Sequence, residues 1–137
     1  MFNNPIFIAI GIPFIFLIAG AFAKKIVRGS GWRTSDFFLG IESTLSAMTA
    51  ALIFIYDLAR SIQLAPSKID KINGQLLSTT SFIAVSFFLL LFVIATHQNW
   101  EFSNDKPRTK FILLGLVCNI IGSGLITVFV LIIKGLS

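Results

Sequence analysis

Cysteine and histidine each occur once in this chain, at Cys118 and His97, and that scarcity removes whole classes of chemistry at the outset. A lone cysteine forms neither an intrachain disulfide nor a multi-thiolate metal site, and Cys118, set in an apolar run, reads as a small buried hydrophobe. A single histidine excludes the paired-histidine zinc signatures of intramembrane metalloproteases. His97, beside Gln98, Asn99 and Trp100 at the end of an apolar stretch, reads as an interfacial residue. The sequence also lacks a nucleophile elbow and a phosphate-cradling loop, since Gly29-Ser30-Gly31 is too short and follows no strand. No enzyme activity, metal or cofactor is expected.

Charge is the next shortage. Only 12% of the 137 residues are charged whereas 55% are hydrophobic, and a mean hydropathy of +0.90 is far above that of a water-soluble domain. Four long apolar stretches stand out: Pro5 to Ala23, Phe37 to Tyr56, Gln75 to Thr96 and Phe111 to Ile133. Each approaches or exceeds the ~20 residues with which an α-helix crosses a hydrocarbon core. Lipid supplies no partners for backbone amides, and nothing alternates in the manner of a barrel strand, so each stretch is predicted to be a helix. The expected fold is an all-α integral membrane protein. It has one transmembrane domain over 1–137, with helices near 5–23, 37–58, 72–97 and 107–134 in an up-down four-helix bundle, expected to form a homo-oligomer. Ala21-Phe22-Ala23 resembles a signal-peptidase site, but no Lys or Arg precedes the apolar run and Lys24-Lys25 follow directly, so the first helix is expected to be retained.

The connections carry helix punctuation. Thr34-Ser35-Asp36 offers capping oxygens to the second span, Asn104-Asp105-Lys106-Pro107 opens the fourth, and Pro66-Ser67 precedes a short polar extension of the third. Brief connections make sequential spans antiparallel neighbours. Basic residues are distributed unevenly: Lys24, Lys25, Arg28, Arg33, Lys106, Arg108 and Lys110 lie on one side, against Arg60, Lys68, Lys71 and Lys134 on the other. Seven against four places the first and third loops, 24–36 and 98–110, in the cytoplasm and both termini outside, in a cell inner or plasma membrane. Trp32 and Trp100 fall on the same basic side and, with Lys24, Lys25, Arg28 and Arg33, are candidate membrane-interface anchors. The expected partners are the lipid bilayer and further copies of the chain. A nucleic-acid partner is not expected, because no folded basic face is available.

Polar residues within the spans fall into rows. Glu42, Ser46, Thr49 and Tyr56 are separated by 4, 7 and 14 residues from the first, one narrow stripe at about 100° per residue. Gly115, Asn119, Ser123 and Thr127 repeat every four residues and form a candidate row for helix packing or oligomer contact. Gln75, Thr79 and Ser86 share a face of the third span. Glu42 is the informative residue, since a carboxylate in an apolar span costs about 3 kcal/mol on insertion scales and usually faces a bundle interior or a wet cavity. It has two readings: an ion or proton site, or a structural hydrogen bond that hydrates through the head-group layer.

A single bundle of this size fills its own centre. The functional expectation is therefore a homo-oligomeric ion channel or membrane-permeabilising effector, with the stripe Glu42, Ser46, Thr49 and Tyr56 lining the path. Alternatives are a proton-coupled small-cation transporter and a non-conducting accessory or scaffold subunit. With no soluble sensory domain, regulation is expected from a protein partner, a small-molecule ligand, voltage or lipid state.

Overall fold

A computed structural model of the chain describes residues 5–29, 31–64, 68–101 and 108–134, and these are helical apart from the first connection. Helix α1 is Pro5–Arg28, α2 is Gly40–Leu64 and α3 is Ile69–Glu101. The fourth helix, α4, covers 108–134 in three pieces: α-helical Arg108–Ile112, a π-helical stretch Leu113–Cys118, and α-helical Asn119–Lys134. All four are long and apolar enough to cross a membrane.

The ends depart from the hydropathy pattern for physical reasons. Helix α1 runs on to Arg28, past Ala23, because Lys24, Lys25 and Arg28 have long apolar stems and suit a helix C-terminus. It is also continuous through Pro13. Helix α2 starts at Gly40 and not at Phe37, because Thr34–Phe37 form a 3₁₀ turn in which the amide of Asp36 donates to the Arg33 carbonyl at 3.0 Å. Gly29 ends α1 with a φ of 69°, a left-handed conformation that glycine adopts without steric penalty. The expected fourth-helix start at Asn104 to Pro107 and the turn at Pro66-Ser67 lie outside the described residues.

The chain alternates direction, so the first and third connections share one end. The Phe38 ring shows this: it meets Trp100 at 6.0 Å, His97 at 6.3 Å and Phe111 at 5.4 Å, all edge-on. The core, however, is built by three helices. Ala47 and Ala51 of α2, Phe82 of α3, and Leu125, Phe129 and Ile132 of α4 are buried together. Phe129 lies between Phe82, tilted against it at 5.7 Å, and Phe54, edge-on at 6.0 Å. A second cluster, Phe38, Val93, Leu114 and Cys118, closes the loop end.

Helix α1 does not lie beside α2 as sequential order predicted. It packs mainly on α4, and touches α2 only sparingly. The reason lies in how closely α2 and α4 approach. A Cβ placed on Gly40 would lie 2.6 Å from Cys118 Cβ, and one on Gly122 would lie 2.5 Å from Ser43 Cβ. Bare backbone on both helices lets them come together as small-residue crossings do in lipid. With α2 drawn onto one side of α4 and α1 held on the other, an open space remains between α1 and α2.

Candidate functional site

The first connection folds back on α1 through ionic contacts. Arg28 pairs with Asp36, whose side chain is 2% exposed, and donates a further bond to the Gly31 carbonyl at 2.5 Å. Asp36 Oδ2 also accepts from the amide of Arg33 at 2.8 Å, so one carboxylate both closes the 3₁₀ turn and holds the end of α1. Lys25 stands 5.0 Å over the Trp32 ring, which stacks on Phe37 at 5.7 Å and meets Phe22 edge-on. Trp32, Lys25 and Arg28 are thus gathered at the loop end, with Arg33 exposed beside them. Trp100 lies at the same end against Phe38.

Glu42 sits in the first turn of α2, where a carboxylate favours the helix dipole. Its Oε1 is 2.5 Å from Lys24 Nζ, and the same ammonium donates to the Phe38 carbonyl at 2.7 Å. Both side chains are partly exposed, at 33% and 42%. Glu42 Oε2 is buried and finds no hydrogen-bond partner among the described residues. The ion pair bridges the opening between α1 and α2, a groove of about 400 Å³. Phe16, Gly20, Ala23 and Val27 of α1 and Leu39 form its apolar walls, and Lys24, Arg28 and Glu42 its charged end. The wall residues fall at 16, 20, 23 and 27, one face of α1, and two of them are too small to fill the space.

The rest of the α2 stripe turns away from the bundle. Ser46 is half-buried, whereas Thr49 and Tyr56 are exposed, and the Thr49 hydroxyl donates to the Leu45 carbonyl at 2.9 Å. Within one chain, then, Glu42 meets a cation of α1 while Thr49 and Tyr56 face outward. The polar face of α3 has the opposite sense: Thr79 and Ser86 are fully buried.

The α4 row divides into two roles. Gly115 lies under the Phe38 ring, where an added Cβ would be 3.0 Å from Cε1. Asn119 acts across helices: Oδ1 accepts from the Leu39 amide at 2.9 Å, and Nδ2 donates to the carbonyls of Phe37 at 2.5 Å and Gly115 at 2.9 Å. It satisfies backbone groups that the chain leaves open on entering α2. Ser123 and Thr127 instead line a second groove, about 340 Å³, that α1 borders with Ile10, Pro13, Phe14 and Leu17.

Three features escaped the sequence reading. Lys24, a candidate interface anchor by sequence, is also the partner of Glu42. Gly40 and Gly122, not the four-residue row, form the closest seam. The π-helical stretch, which turns Cys118 and Asn119 toward α2, has no signature in the local sequence. Among the described residues no three His, Cys, Asp or Glu side chains come together as a metal site. Set against known proteins, the chain matches no family model, no curated protein sequence and no solved structure.

Proposed function

We propose that the chain is an integral membrane protein that assembles with copies of itself and permeabilises the membrane to ions, the outer face of α2 lining the path. The supporting observation is the outward placement of Thr49 and Tyr56 on a helix whose other faces are taken up by α3 and α4. The bundle's own centre is filled by Ala47, Ala51, Phe82 and Phe129, so a path through one chain finds no support and a path between chains is the natural alternative. Symmetry would bring several Thr49 and Tyr56 side chains around one axis, with the Lys24–Glu42 pairs near the mouth. In this reading the loop end, with Lys24, Lys25, Arg28 and Arg33, is cytoplasmic and both termini are outside. Regulation by a partner protein or a small molecule belongs to the same proposal.

A second reading, a non-conducting accessory subunit, draws on the fact that the Thr49 hydroxyl is already bonded and Glu42 already paired, so neither needs a wet path. A proton-coupled cation transporter remains the third reading, resting on Glu42 as the carboxylate that exchanges the proton. Purified protein in liposomes separates them. A pore gives ion flux that loses cation preference in Glu42→Gln while assembly persists. A transporter loses pH-driven exchange altogether in that variant, because an amide releases no proton. Absence of flux to any ion from well-folded wild-type protein overturns both and leaves the accessory reading.

A further inference from the structure

We propose that the groove between α1 and α2 is a binding site for one anionic phospholipid with a hydroxylated headgroup, of the phosphatidylglycerol type. It shares only Glu42 with the stripe assigned to conduction, and because its test reads lipid retention and not flux it holds whether or not the assembly conducts. Three observations fit together. The walls at Phe16, Gly20, Ala23 and Val27 are apolar, and about 400 Å³ lies within the range of sites that hold small organic ligands, so an acyl chain is a suitable occupant. At the charged end Lys24 is paired with Glu42 and Arg28 with Asp36, and Lys25 and Arg33 of the same connection, outside the groove lining, leave this end of the bundle with two more positive than negative charges. The end is also incompletely bonded. The Lys24 ammonium has three donors, and Glu42 and the Phe38 carbonyl take two of them. Glu42 Oε2, buried without a partner among the described residues, calls for a donor.

A phosphate accepts from Lys24, a headgroup hydroxyl donates to the Glu42 carboxylate once its partly exposed side chain turns Oε2 toward the groove, and the acyl chain follows α1 along its small-residue face. Phosphatidylcholine meets only the first and last of these demands, having no headgroup hydroxyl, and it brings a compensating cation into an already cationic end. Trp32 and Trp100 at the same end match the depth at which headgroups lie. The preference for the anionic lipid should be about fivefold for each basic side chain that it engages near the surface.

The test is native mass measurement of detergent-purified full-length protein titrated with phosphatidylglycerol or phosphatidylcholine of identical acyl chains. Wild-type protein should retain one phosphatidylglycerol per chain in preference to phosphatidylcholine. Ala23→Phe, which fills the exposed groove wall, should bring retention down to the phosphatidylcholine level. The paired exchange Lys24→Glu with Glu42→Lys keeps both members of the bridge and the net charge but removes the donor to the Phe38 carbonyl and reverses two helix-end charges, so it should fold and melt somewhat below the wild type and lose the preference. Equal retention of the two lipids by wild-type protein overturns the site, as that is only annular lipid. So does undiminished preference in a folded Ala23→Phe protein; if that variant misfolds, undiminished preference in the paired exchange overturns it equally.

Discussion

The two sides of α2 are built on opposite principles. Toward α4 it presents Gly40 and Ser43 to Cys118 and Gly122, a seam so close that no Cβ fits at either glycine. Toward α1, Glu42 and the preceding Leu39 border an open groove, crossed by a partly exposed ion pair and by the Lys24 bond to the Phe38 carbonyl. Burial follows the same division: 39% of the most apolar stretch within Ser35–Ile62 is buried in the chain but only 11% of that within Ile10–Arg28. In lipid, apolar surface alone gives helices little reason to associate, so a stable contact needs close backbone packing or polar bonds. The α2–α4 seam has both, whereas α1 is held by Arg28, Lys24 and its contact with α4. The seam secures the fold, and the open side is where something from outside the chain can act.

The strongest way to break this contrast is to place a methyl group in the seam. Gly40→Ala forces a Cβ to within 2.6 Å of Cys118 Cβ and 2.9 Å of its backbone, neither of which is a flexible side-chain end. Overpacking of this kind costs about 1–3 kcal/mol. Gly124→Ala, with nothing within 4 Å of the new Cβ, should leave stability unchanged or raise it by up to about 1 kcal/mol through helix propensity. Thermal unfolding in detergent checks both, and equal melting of the two variants would show that the seam is not what holds α2.

Asn119 comes next. Replacing it with Leu removes the acceptor for the Leu39 amide and the donor to the Phe37 carbonyl. Leu39 is buried, and a buried amide left unpaired costs about 1–3 kcal/mol, whereas Phe37 is exposed and its carbonyl loses little, so Asn119→Leu should destabilise measurably but no more than the glycine variant. A melting temperature equal to wild type would mean that water or lipid headgroups replace the side chain.

These cases also show what could be read in advance. The four long apolar helices were legible because the need to satisfy ~20 backbone amides in an apolar setting acts on each stretch separately, and no distant contact has to be known. Asn119 was legible as a cross-bundle group for the same reason, an amide in an apolar run with few other uses. The seam was missed by one position. The four-residue row pointed to Ser123, but its neighbour Gly122 is what meets Ser43, a choice set by how α2 lies on α4 and not by helical spacing. The pairing of Glu42 with Lys24 spans a reversal of the chain through Arg28, Gly31 and Asp36, so it depends on how that connection folds and not on any helical spacing. The same connection is long enough to let α1 cross to α4, which a rule of sequential neighbours does not anticipate.

Glu42→Gln probes the loose side. Exposed ion pairs contribute about 0.2–1 kcal/mol, and this one is partly exposed, so the melting temperature should fall only slightly. A loss as large as that of Gly40→Ala, measured side by side, would make the bridge a principal tie between α1 and α2 and would erase the contrast between the two sides.

The smallest structural effect is expected at Thr49, and that makes it the sharpest functional probe. Its side chain is exposed and its hydroxyl returns to the Leu45 carbonyl of its own helix, so no contact between helices depends on it. Thr49→Leu should therefore shift stability by no more than about 0.5 kcal/mol, the usual range for surface positions. If α2 faces lipid, leucine is as welcome there as threonine, and neither oligomer size nor flux changes. If copies of α2 gather around an axis, one larger apolar side chain enters from each subunit, narrowing and drying the path. Flux should then fall steeply in a protein that melts and assembles like the wild type. Tyr56→Phe, which keeps the ring and removes only the hydroxyl, should have the same sign and a lesser size. Unaltered flux in Thr49→Leu, with the wild-type assembly confirmed by mass, would remove α2 from the path and leave its outward polar face as a contact for another membrane protein.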